Sequence, residues 1–273
     1  MQDKHNSNGF YDLYHNPFTG NSEPRGYTYV AGYGFSPPPR ADYERRMIRT
    51  YSSGIALMLL CFLLLSGPAY QLLFSLETML FGRFMTYTGL SVASELANMG
   101  AYVLALLLPA VLYCRYIRIP VYNAFPLGRL RDTGITLAAI PITLMTVVVG
   151  AYTASVVSAL FAVFGLYPTS PIPAVPTNGV EFIFYFISTA ILPAIVEELV
   201  FRGAIQQLAQ PLGRWQAAAL QAVLFAVQHG TPAGMAWALG CGLVLGALRE
   251  RTGRVWPGML LHTLNNLLVF AAG

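Results

Sequence analysis

The sequence predicts an all-α fold, a polytopic transmembrane helix bundle of about seven spans, with eight as the alternative. Three observations predict it. Of 273 residues, 55% are apolar and only 10% are charged, against roughly 25% charged in ordinary soluble domains. The apolar residues fall into long runs joined by short connections, and mean hydropathy is +0.54. The arginines gather in alternate connections. This excludes an ordinary cytosolic enzyme and a wholly disordered chain. The net charge of +4 does not imply nucleic acid, because basic residues of membrane proteins collect in cytoplasmic loops.

Residues 1–49 hold 11 of the 28 charges and are rich in Asn, Gly, Pro and Tyr. Without periodicity they bury little, so they read as a disordered polar cytoplasmic tail. Residues 50–179 read as the N-terminal transmembrane helices. The first span is Ser53–Phe74 and the second Leu96–Cys114, with Glu77–Ser91 between them as an interfacial piece. The third, Gly134–Gly165, is long enough to be tilted or broken near Gly150. A proline-rich loop covers residues 167–179. Residues 180–273 hold four more runs: Val180 to about Gln206, Trp215–His229, Met235–Leu248 and Val255–Ala272. A bilayer core ~30 Å thick takes about 20 helical residues, so the last runs are short and need shielding by neighbours.

Arg40, Arg45, Arg46 and Arg49 precede the first span, and Arg115, Arg118, Arg129 and Arg131 follow the second. Arg202 and Arg214 bracket the fourth turn, and Arg249, Arg251 and Arg254 follow the sixth span, leaving Arg83 on the other side. The positive-inside rule then places the N-terminus in the cytoplasm. Cys61, Cys114 and Cys241 are odd in number and far apart, which is no disulfide framework.

The last third is apolar yet contains Glu197, Glu198, Arg202, His229, His262 and Asn266. An ionisable residue at mid-membrane costs about 2.5–3.5 kcal/mol, which makes each a functional candidate. Each alone could be an interhelical contact; together they favour a site. Glu198 and Arg202 are spaced i,i+4 with the acid first, the favourable order for a helical ion pair. Glu197 projects about 100° away, so Glu198 reads as structural and Glu197 as chemical. Glu197 and His229 each lie 16 residues from Gly213, which puts them at equal depth on an antiparallel pair. Gln206, Gln207 and Gln210 suggest that the fourth helix emerges from the membrane just before that turn. His262 and Asn266 share a face, as do Phe225 and His229, with Phe225 read evenly as packing or as ring support.

A desolvated glutamate can take a proton from water, a histidine can hold that water, and an imidazole with an amide can stabilise an oxyanion. That set implies acyl hydrolysis, most simply of a peptide bond. Neither G-x-S-x-G nor H-E-x-x-H occurs.

EELVFR (197–202), FAVQH (225–229) and HTLNN (262–266) read as E-E-x-x-x-R, F-x-x-x-H and H-x-x-x-N. In that order, on separate apolar helices, they resemble the type II CAAX prenyl endopeptidase and bacteriocin-processing (Abi) family of intramembrane glutamic proteases, over about residues 180–273. The resemblance implies that Glu197 activates water, that His229 assists, and that His262 and Asn266 form the oxyanion site, supported by Glu198, Arg202 and Phe225. It implies no metal and no cofactor, a membrane-associated peptide or protein substrate within the lipid bilayer, and a bacterial plasma-membrane location; the charge-poor composition already excludes a nucleic-acid-binding domain. Two other readings stand beside it: an immunity or binding protein with little proteolysis, and a transporter with Glu197 as proton relay, against which the lack of internal repeats weighs. A His₂Glu zinc set of Glu197, His229 and His262 is disfavoured because no spare carboxylate lies near either histidine in sequence.

Overall fold

The computed structural model describes residues 28–30, 34–36, 40–81, 87–129, 133–165 and 176–272. Residues 1–27, Arg83, Arg131 and most of the proline-rich loop lie outside them. The chain divides into two units, 1–51 and 52–273. In the first, Thr28–Val30 pairs antiparallel with Gly34–Ser36, Tyr29 opposite Phe35. Helix α1 begins at Arg40 and runs to Phe81, so helix starts about ten residues inside the segment read as tail. It also continues through the stretch from Glu77 to Phe81 that was expected to lie at the interface.

In the second unit, which holds α1 from Ser52 onward, the further elements are α2 (87–116), the single turn α3 (Val121–Ala124), α4 (Gly134–Val163), α5 (Gly179–Leu212), α6 (Arg214–Val227), α7 (Pro232–Thr252) and α8 (Trp256–Ala272). All seven expected apolar runs are helical. Among the described residues, five are long and apolar enough to cross a membrane: α1, α2, α4, α5 and α7. The 14 residues of α6 and 17 of α8 fall short of the roughly 20 a crossing takes. Helix α4 is unbroken at Gly150. A Cβ there would collide with the Trp237 ring, so this glycine serves close packing.

Local chemistry sets the boundaries. The Asn178 side chain caps α5 by accepting from the backbone N–H groups of Val180 and Glu181, each at 3.1 Å. The Thr231 hydroxyl caps α7 from Gly234 N at 3.1 Å, with Pro232 at the first helical position. Gly213, at φ 113°, turns α5 into α6 at the position the sequence indicated.

Two helices widen into π-turns at Val103–Leu107 and Ile187–Ile191. Pro109 and Pro193 follow each within two residues, and a proline has no N–H to give the preceding turn. A third widened stretch, Glu198–Ile205, carries Glu198 and Arg202; such stretches concentrate at functional sites.

Helix α7 packs most extensively on α4 and α6. Gly242 and Gly246 of α7 face Ala222 and Ala218 of α6. A Cβ at Gly242 would stand 3.0 Å from Ala222, and one at Gly246 would collide with the Gln221 amide. Small residues let helix backbones approach where lipid gives no hydrophobic drive for association. Gln221 crosses the same seam, donating to Gly242 O at 2.9 Å. Two of the glutamines near the α5–α6 turn bond to Glu250. Gln206 is buried and donates to Glu250 at 2.7 Å, and Gln210 does so at 2.6 Å. Glu250, also held by Arg214 at 3.2 Å, ties α7 to the end of α5 and the start of α6.

Candidate active site

Glu198 meets Arg202 one turn along α5, with Oε1 and Nη1 2.9 Å apart and both side chains almost wholly buried. A charge taken from water needs a partner, and each supplies the other's. The Phe225 ring of α6 covers the guanidinium, its centroid 4.2 Å from Cζ. Gly258 of α8 makes room, since a Cβ there would collide with Glu198 Oε2.

His262 enters from α8 and is buried. Its Nδ1 lies 3.2 Å from Glu198 Oε1, and its Nε2 lies 3.5 Å from Glu197 Oε2. An ionised carboxylate only accepts hydrogen bonds, so Nδ1 carries a proton toward Glu198 and Nε2 faces Glu197. The structure thus supplies the carboxylate partner for His262 that was missing near it in sequence. Glu198 sits on His262 as well as on Arg202, and that argument against a zinc set falls. Among the described residues, no three His, Cys, Asp or Glu side chains stand in a metal-ligand arrangement.

Glu197 is 6% exposed. Its Oε1 accepts from Tyr102 Oη of α2 and from Nε2 of Gln228, just past the end of α6, at 2.8 Å. Gln228, next to His229, is thus the residue beyond the Gly213 turn that bonds to Glu197. His229 donates from Nδ1 to Phe225 O at 2.8 Å, which leaves the lone pair of the neutral ring on Nε2. Phe225 stands edge-on to His229 at 4.8 Å, to His262 at 5.6 Å and to Phe201 at 5.4 Å. One buried ring thus packs against both histidines and the arginine, so packing and ring support coincide.

Asn266 donates from Nδ2 to Ala190 O at 3.2 Å, in the widened turn of α5. Its Oδ1 faces Asn265 Nδ2 at 3.5 Å, and Asn265 is the more deeply buried of the two. Glu197, Glu198, Arg202, Phe225 and His262 form one connected cluster. His229 joins it through Phe225, and Asn266 lies one turn beyond His262 with its amide on α5.

Sequence reasoning missed Tyr102, Gln228 and Asn265. Gln228 carried a readable signal, since it is polar in an apolar run and adjoins His229. Tyr102 carried none, being one of 16 tyrosines in a span without other markers.

An apolar groove of about 500 Å³ lies between α4 and α7, lined by Pro141, Met145, Gly150 and Trp237 among others. Trp237 belongs to both places, standing edge-on to His229 at 6.1 Å.

Fold and site together define a polytopic helical membrane bundle with a buried constellation of carboxylates, imidazoles and a guanidinium. Residues 179–268 match the family model of the type II CAAX prenyl endopeptidase Rce1-like proteins. The match spans all three motifs, from EELVFR at 197–202 to HTLNN at 262–266. No curated protein matches the chain, and no solved structure matches it.

Proposed function

We propose that the protein is an intramembrane glutamic endopeptidase that cleaves a membrane-associated peptide or protein with Glu197 as base. The observation that carries this is the buried Glu197 carboxylate, whose Oε2 is turned toward His262 Nε2 at 3.5 Å inside an apolar bundle. That separation is longer than a good hydrogen bond, so water or substrate can compete for either atom.

In this reading a water held by His229 Nε2 gives its proton to Glu197 Oε2 as its oxygen bonds to the scissile carbonyl carbon. The carbonyl electron pair moves onto oxygen. The proton can pass to His262 Nε2, where Glu198 stabilises the imidazolium, and the doubly protonated ring donates to the oxyanion. The Asn266 amide has two N–H groups, of which Ala190 O takes one, leaving a second donor for the same oxygen. The C–N bond then breaks as the leaving nitrogen takes the proton. The groove beside Trp237 would admit an apolar part of the substrate from the lipid. The arginine distribution supports a cytoplasmic N-terminus, and the family resemblance a bacterial plasma membrane.

The test is substrate trapping with Glu197→Ala, identification of the retained peptides, and their cleavage by the wild-type protein in liposomes. Defined cleavage, lost in Glu197→Gln, is expected. A protective phenotype against a bacteriocin that survives Glu197→Gln would instead assign an immunity or binding role.

A further inference from the structure

The two oxygens of Glu197 have different surroundings. Oε1 accepts from Tyr102 Oη and Gln228 Nε2, which also lie 3.5 Å from one another. Oε2 faces His262. The terminal torsion of a glutamate is broad and roughly twofold, so an unanchored carboxylate would exchange its two oxygens. Two donors on one oxygen remove that freedom.

We propose that Tyr102 and Gln228 are positioning residues that hold Oε1, and thereby make Oε2 the atom that takes the proton. The proposal rests on the peptidase reading for its kinetic arm only. The donor assignment follows from chemistry: with its carbonyl toward Glu197, Gln228 would set two acceptors against each other, whereas its NH₂ group donates. The tyrosine hydroxyl has one hydrogen, and against a carboxylate it is the donor.

Both residues are placed before substrate arrives. Tyr102 stands edge-on to Phe62 of α1 at 5.8 Å and immediately precedes the widened turn Val103–Leu107. Gln228 directly follows α6, where its N–H bonds to Leu224 O at 3.3 Å. Helix α2 lies outside the matched residues 179–268. On this assignment the N-terminal helices contribute to the site as well as shielding it from lipid.

The experiment uses the full chain in nanodiscs, with Tyr102→Phe, Gln228→Met and the double variant. Phenylalanine keeps the ring against Phe62, and methionine keeps the length of glutamine without a donor. Infrared spectra first identify the Glu197 carboxylate bands as those lost in Glu197→Gln. These bands are expected to shift in each single variant. On the peptide retained by Glu197→Ala, kcat is expected to fall roughly tenfold or more in each, the scale for a hydrogen bond to a charged group. KM should be unchanged, and the double variant should lose less than the product of the single losses, because both act on one oxygen. Thermal unfolding near wild type shows that a variant is folded, and should Tyr102→Phe not fold, Gln228→Met decides. Unmoved bands in the folded variants overturn the proposal, as does unchanged kcat. If bands shift but no peptide is cleaved, the positioning stands and the peptidase reading falls alone.

Discussion

His262 Nδ1 lies 3.2 Å from Glu198 Oε1, so the ring that faces Glu197 is held from behind by the neighbouring glutamate. Arg202 holds the same oxygen at 2.9 Å. One carboxylate orients the imidazole and neutralises the guanidinium, while the one just before it in sequence, Glu197, faces the other nitrogen of that ring.

This separates the two glutamates experimentally. Glu197→Gln is expected to abolish turnover with little change in thermal unfolding. Glu198→Gln strips a partner from both Arg202 and His262. Breaking a buried pair costs about 3–5 kcal/mol, so that variant should unfold at clearly lower temperature and also lose activity. Equal stability for the two, with Glu197→Gln still active, would reverse the assignment.

Turnover is expected to survive prolonged chelation, and purified active protein should contain no stoichiometric metal. The question is sharper because His262 has a carboxylate on its second nitrogen, an arrangement that also supports metal-ligating histidines. Zinc found one to one, with activity lost on its removal and restored by zinc alone, would make Glu197 a ligand.

Two glycines of α7 should respond oppositely to an added methyl group. Gly242→Ala sets a Cβ 3.0 Å from Ala222, where the helix backbones meet, while a Cβ at Gly240 meets nothing within 4 Å. Overpacking costs about 1–3 kcal/mol, so Gly242→Ala should lower the unfolding midpoint. Gly240→Ala should leave it unchanged or raise it, since alanine restricts the unfolded chain more than glycine does. Equal midpoints would show that the α6–α7 seam opens readily.

Reporter fusions should place the N-terminus in the cytosol and the end of α8 on the opposite side. Both five and seven crossings are odd, so the result is the same whether the short α6 and α8 both cross or neither does. Reporters on one side would show an even number of crossings and sink the seven-span count, with eight as the alternative.

Seven helical runs and most of the cluster were legible because they rest on short-range or compositional signals. Apolar runs follow from bilayer thickness. Glu198 and Arg202 are four residues apart on one helix, so their pairing follows from helical geometry alone. His262 stands out because an imidazole in an apolar run is costly unless something answers it.

What answers it depended on how the helices pack. Tyr102 is 95 residues from Glu197, and no periodicity links them; only the crossing of α2 and α5 brings that hydroxyl to that oxygen. The depth count brought His229 toward Glu197 along straight helices, but which side chain on that turn bonds to the carboxylate is set by side-chain direction, and it is Gln228. The glutamines at the α5–α6 turn carry the same composition whether they face water or Glu250. Packing turns Gln206 and Gln210 to Glu250, and a buried amide such as that of Gln206 must find a partner within the bundle.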